Sequence, residues 1–175
     1  MSYATIGYME ISILPKSSLK IKGKNASFVV DPKDSTLYNA AILLGNSSAE
    51  DSNEEMVVFN GPGEYEVGGI KISGVRSEMG VNYSLSVDGV DIALGRISSL
   101  DKLHTKMKEH TVVVALCDEA VSASFLTSLS SNAILLYGEK AVEVAQVFGE
   151  TVKKQPKYNI TKDKLPLEVE TVVLE

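Results

Sequence analysis

Few residues in this chain could do chemistry, and they are unevenly placed. Four carboxylates, Glu50, Asp51, Glu54 and Glu55, crowd one polar stretch. Carboxylate oxygens are the ligands that hard cations such as Mg²⁺ or Ca²⁺ take. The competing reading is a solvated acidic surface loop, because tight binding needs those oxygens to converge. Cys117 is the only cysteine, set between the apolar run Val112–Leu116 and a predicted helix start, where a dipole could lower its pKa. It stands beside Asp118 with no evident histidine partner, which favours an inert buried thiol over a nucleophile. His104 and His110 are the only histidines, and their spacing would not put them on one helical face. Gly61-Pro62-Gly63 and Gly68-Gly69 suggest a phosphate cradle, but no Gly-Lys-Ser/Thr ending follows, and Glu64 and Glu66 would repel an anion. Tyr65 and Tyr83 read as core or rim aromatics whose hydroxyls need polar partners.

The totals narrow the classes these residues can serve. A chain of 175 residues that is 44% hydrophobic and 23% charged is an ordinary globular chain. It is read as one domain over 1–175, large enough to bury a real core. The net charge of −6, with no run of basic residues, argues against a nucleic-acid or anionic-membrane surface. A lone cysteine rules out an intramolecular disulfide and a Cys-rich zinc site. Met1 to Leu14 carries no basic residue before its apolar part, unlike a signal peptide, and no apolar run reaches membrane-spanning length. The expectation is a cytoplasmic protein, and the four Asn-x-Ser/Thr triplets are then chance occurrences.

The elements that must position these residues are mostly strands. Met9–Leu14, Leu19–Lys22 and Ser27–Val30 alternate or run apolar between tight turns, which predicts an antiparallel meander. Ala40–Leu44 reads as a buried strand stopped by Gly45, and Met56–Phe59 as another. Tyr65 and Val67 alternate with glutamates up to Gly68-Gly69, and Ile70 and Ile72 resume the pattern, so a hairpin is predicted there. After a loop at 77–80, Tyr83–Val87 and Val90–Leu94 form a second hairpin around Asp88-Gly89. Helical spacing then appears at Leu100, Leu103 and Met107, with Ser98 or Ser99 as N-cap candidates. Thr111–Leu116, a helix from Asp118 to Leu129, Ala133–Tyr137 and a helix from Glu139 to Phe148 make a βαβ pattern with parallel strands. The tail is predicted to hold an extended pair, ending in Leu167, Val169 and Val172–Leu174. The class is α/β or α+β: two sheets, or one mixed sheet, with helices outside.

The phrase Gly61-Pro62-Gly63-Glu64-Tyr65-Glu66-Val67 with Gly69-Ile70-Lys71-Ile72 resembles the metallo-β-lactamase fold, in particular the small bacterial and archaeal metal-dependent hydrolases of that superfamily. Glu10–Leu14, Val29-Val30-Asp31-Pro32, Asp88-Gly89 and the tail from Asn159 to Leu174 support the likeness. It implies a compact αββα sandwich of two mixed β-sheets with outer helices. It also implies a His-x-His-x-Asp-His loop after a buried strand, with further His and Asp ligands at later strand ends holding one or two metal ions that activate water. The loop after Ile42–Leu44 offers Asn46 and Ser48 instead, followed by Glu50 and Asp51. Arg96 stands where a bridging Asp is implied, and Tyr137 where a His is implied. No histidine precedes position 104.

The resemblance therefore implies a fold whose catalytic residues are absent: no catalytic residue, no resident metal and no cofactor are expected, and the protein acts by binding or assembly, as a homo-oligomer or with a protein partner. One alternative is a hydrolase with an altered site in which Asp31, Glu50 and Asp51 hold a weakly bound divalent cation. Another is a small-molecule binding module using the vestigial cleft. Asp31 is expected to organise neighbouring loops, and Arg96 to pair with Glu50, Asp51 or Asp31 in place of a metal.

Overall fold

The computed structural model describes residues 8–33, 38–45, 56–103, 110–121, 131–149 and 151–175. The chain begins with β1 (Met9–Leu14), β2 (Ser18–Lys22) and β3 (Ser27–Val30), which form the predicted antiparallel meander. β4 (Ala40–Ile42) and β5 (Val57–Phe59) then join β3 in parallel. β6 (Gly63–Val67), β7 (Ile70–Ser77), β8 (Gly80–Val87) and β9 (Val90–Arg96) follow as consecutive antiparallel hairpins of a second sheet. After α1 (Ile97–Leu103), β10 (Val112–Leu116) and β11 (Ala133–Tyr137) extend that sheet in parallel, as the βαβ reading predicts. α2 (Ala141–Gln146), β12 (Lys153–Gln155), β13 (Lys157–Ile160) and β14 (Glu170–Leu174) complete the chain. The first sheet runs β13-β1-β2-β3-β4-β5 and the second β12-β14-β11-β10-β9-β8-β7-β6.

Strand periodicity explains how the sheets stack. Every second residue of β8, namely Val81, Tyr83, Leu85 and Val87, faces the first sheet and packs with Ile11, Ile21 and Phe28. The other face of the second sheet carries Ala93, Val113, Ile134 and Val173, buried under Ile97 and Leu100 of α1 and Ala141 and Val144 of α2. β10 and β11 are thus covered on both faces, which is why their sequences are continuously apolar rather than alternating. Two mixed sheets face each other, with the described helices outside the larger one.

Several boundaries differ from the sequence reading. The loop at 77–80 contracts to a tight turn, because Ser77 and Gly80 are already paired across β7 and β8. Ser98 and Ser99 lie inside the first turn of α1 rather than at its N-cap, since β9 runs into the helix at Ile97. The Ser99 hydroxyl instead donates to the buried Asn82 side chain at 2.7 Å. Residues 118–121 are not helical: the Cys117 N–H donates to the Tyr137 carbonyl (2.7 Å) and its carbonyl accepts from Lys140 (3.0 Å), which ties the end of β10 to the residues after β11. The rest of that predicted helix, and Met107, lie outside the described residues. Of the tail strands, β12 pairs with β14 in parallel, but β13 and β14 do not pair with each other. β13 joins β1 and β14 joins β11, on different sheets, because Tyr158 and Ile160 serve one side of the core and Val172 and Leu174 the other. Leu167 and Val169 are exposed between them.

Candidate functional site at the strand ends

Three parallel strands stop side by side in the second sheet. Leu116 of β10 is in register with Arg96 of β9 on one side and with Tyr137 of β11 on the other. Leu116 and Tyr137 pack into the inter-sheet core, so the row that includes Arg96 faces the first sheet. Across from it, β3 ends at Asp31, whose φ of 47° turns the chain sharply. Asp31 donates its N–H to the Ile42 carbonyl at 2.9 Å and accepts the Leu44 N–H on its carboxylate at 3.1 Å. It thereby ties the end of β3 to the residues after β4, the organising role expected of it. Burial pushes its carboxyl pKa above 3.8, opposed by the Leu44 hydrogen bond and by the charges of Lys33 and Arg96.

Arg96 donates from Nη1 to the carboxylate of Asp118, just beyond β10. Asp118 was legible in the sequence only as the neighbour of Cys117. Its position against Arg96 follows from the parallel register of β9 and β10, which no local pattern encodes. The Arg96 Nε is buried without a hydrogen-bond partner, and so is the Tyr137 hydroxyl. Burial raises the Tyr137 pKa well above its usual value, and the charge of Asp31 adds to the effect. The Cys117 thiol is pushed up to about 12, mainly by burial, so it stays protonated and unreactive.

The Gly-Pro-Gly-Glu-Tyr phrase carries the chain from β5 of one sheet to β6 of the other beside this cluster. The Tyr65 hydroxyl donates back to the carbonyls of Gly61 (3.0 Å) and Pro62 (3.1 Å), and its ring lies 4.6 Å from that of Phe59. A Cβ on Gly74 would approach the Gly61 carbonyl oxygen to 2.8 Å, so the crossing needs a glycine beneath it. Tyr83, inside the core, donates its hydroxyl to the carbonyls of Phe59 (3.1 Å) and Leu43 (3.3 Å), bolting the second sheet to the first. The phrase is scaffold. Gly68 and Gly69, both at positive φ, make the predicted hairpin turn.

Of the residues singled out by sequence, Asp31, Arg96 and Tyr137 are brought to one end of the sandwich. Asn46, Ser48, Glu50, Asp51, Glu54, Glu55 and His104 lie outside the described residues. The described side chains do not fit a metal centre of the kind the resemblance implies. A guanidinium already supplies positive charge between Asp31 and Asp118, the thiol and phenol at hand hold their protons, and no nitrogen ligand is present among them. Among the described residues no three His, Cys, Asp or Glu are gathered to hold a metal ion.

No protein-family model matches the sequence, and no curated protein is similar to it in sequence. Solved structures are similar in fold. A Thermotoga maritima protein assigned to the Zn-dependent hydrolases of the metallo-β-lactamase superfamily superposes with a TM-score of 0.70 at 16% identity, over 95% of this chain and 99% of that one. The metallo-β-lactamase fold protein YhfI from Bacillus subtilis gives 0.60 at 7% identity, over 97% of each chain. A metallo hydrolase from the archaeon Ignicoccus hospitalis gives 0.58 at 9%, over 87% of this chain and 97% of that one. With its two facing mixed sheets and these superpositions over nearly its whole length, this chain has the metallo-β-lactamase fold.

Proposed function

We propose that this protein is a form of the metallo-β-lactamase fold without metal-dependent hydrolysis at its strand ends, and that it acts there by binding or assembly, with the strand-end cluster as its contact site. The observation that carries this reading is the Arg96–Asp118 pair at the ends of β9 and β10. An arginine cannot lose its proton in a protein, so its charge is permanent where a metal cation would have to enter. The chain also has no histidine before position 104, whereas the hydrolases it resembles hold their metal largely through histidines. The unpartnered Arg96 Nε and Tyr137 hydroxyl favour a small ligand offering acceptor oxygens as one form of that binding, because buried donors left unpaired cost stability.

The test is metal analysis of protein loaded with zinc and with manganese, coupled to a phosphodiester and ester screen run with and without chelator. Substoichiometric metal and no chelator-sensitive turnover are expected. Stoichiometric metal with turnover lost in Glu50→Ala or Asp51→Ala would overturn the proposal in favour of a carboxylate-based hydrolase. Size exclusion with light scattering reads the assembly arm directly.

A further inference from the structure

A second cluster lies on the opposite face of the second sheet, away from the strand ends. Since Tyr83 and Leu85 point into the inter-sheet core, Ser84 between them points outward, in register with Ser73 of β7 and Ala93 of β9. There its hydroxyl lies 2.6 Å from Nε2 of His110. His110 is held in place by its neighbour: Thr111 donates its N–H to the Asp91 carbonyl at 2.9 Å, and its hydroxyl accepts the Asp91 N–H at 3.2 Å. This clamp sets the imidazole beside β9, where the Asp91 carboxylate acts on it electrostatically. The ring is partly buried, and burial lowers its pKa, which favours the neutral form that can accept a proton. Ser84 itself is only partly buried, beside Ala93, which α1 covers, while α2 packs farther off against β11 and β14. A serine hydroxyl within hydrogen-bond reach of a neutral imidazole is the minimal arrangement for an activated oxygen nucleophile.

We propose that Ser84 is a nucleophile, with His110 as its general base, that takes the acyl group of small activated carboxylic esters. In this step Ser84 Oγ adds to the acyl carbonyl carbon as its proton passes to His110 Nε2. The bond from that carbon to the ester oxygen then breaks, and the alcohol leaves with the proton from His110. The products are an acyl-Ser84 ester and the free alcohol. Water then adds to the acyl carbon as its proton passes to His110. The bond from that carbon to Ser84 Oγ breaks, Oγ takes the proton back from His110, and the carboxylic acid leaves. No metal takes part. The inference is therefore independent of the reading given to the strand ends.

The probe is p-nitrophenyl acetate, offered to the full chain in the presence of chelator and followed by p-nitrophenol release, intact mass and peptide mapping. A release burst and a single acetyl group mapped to Ser84 are expected. Ser84→Ala should remove both, and His110→Gln, which keeps a hydrogen-bonding side chain, should slow acylation at least tenfold. Both variants are checked for unchanged thermal unfolding. Label found only on lysines or the N-terminus would overturn the proposal, as would Ser84 acetylation at an undiminished rate in His110→Gln.

Discussion

Arg96 and Asp31 decide what the strand ends can do, and each has a measurable signature. The Arg96–Asp118 pair is partly solvated, with side chains 26% and 31% exposed, so it is worth less than a buried pair. A double-mutant cycle on Arg96→Ala and Asp118→Asn, read by urea unfolding, should give a coupling of about 0.5–1 kcal/mol. A coupling near zero would mean the pair does not hold the strand ends together. Asp31 titrates in the opposite sense to a salt-bridged carboxylate. Its folded pKa is raised above the ordinary 3.8, so its contribution is fully present below that value and is lost as pH rises through the folded pKa. Asp31→Asn, whose amide oxygen can still accept the Leu44 N–H, should flatten this decline. Unfolding midpoints of the two proteins measured from pH 3 upward should diverge in favour of the variant as pH increases. Parallel curves would show that the carboxylate carries no net burial penalty.

At the level of elements, the joins between strands impose the strictest demands. Gly80 opens β8 at φ 136°, and a Cβ there would stand 1.9 Å from the Leu44 carbonyl oxygen. That oxygen already accepts the Val81 N–H at 3.1 Å, so it cannot retreat without breaking a link between the sheets. Gly69 also has positive φ, at 77°, but nothing lies within 4 Å of its missing Cβ. Gly69→Ala should therefore cost only the backbone strain, about 1–2 kcal/mol. Gly80→Ala adds a backbone clash and should cost more than about 3 kcal/mol, lowering Tm by roughly 6–12 °C. Equal losses in calorimetry would contradict the crowding at Gly80. The hairpin at Gly68-Gly69 was legible in the sequence because its turn chemistry is local. The starts of α1 and of the segment after Cys117 were not, since a buried Asn82 and the β10–β11 crossing hydrogen bonds override local propensity there.

Across the whole molecule, the two sheets are held by one apolar core and by a few polar bolts. Among the described residues Tyr83 and Tyr137 are the largest fully buried side chains, and the Tyr83 hydroxyl reaches Phe59 and Leu43 on the facing sheet. Burial raises its pKa above 10.0, so the phenol remains protonated and can donate. Tyr83→Phe keeps the ring and removes the bolt, and should cost about 1–2 kcal/mol in urea unfolding. An unchanged midpoint would place all the cohesion of the sandwich in its apolar contacts. The sequence by itself determined the strands, because alternation and turn residues are local statements about burial. It also determined that no histidine precedes position 104, because folding cannot supply a residue that the chain does not carry there. Only the tertiary structure decided that Arg96 meets Asp118, that Tyr137 is buried with an unpaired hydroxyl, and that Ser84 faces His110. Each of these depends on the register between strands distant in the chain, which is set by how the two apolar faces close on each other.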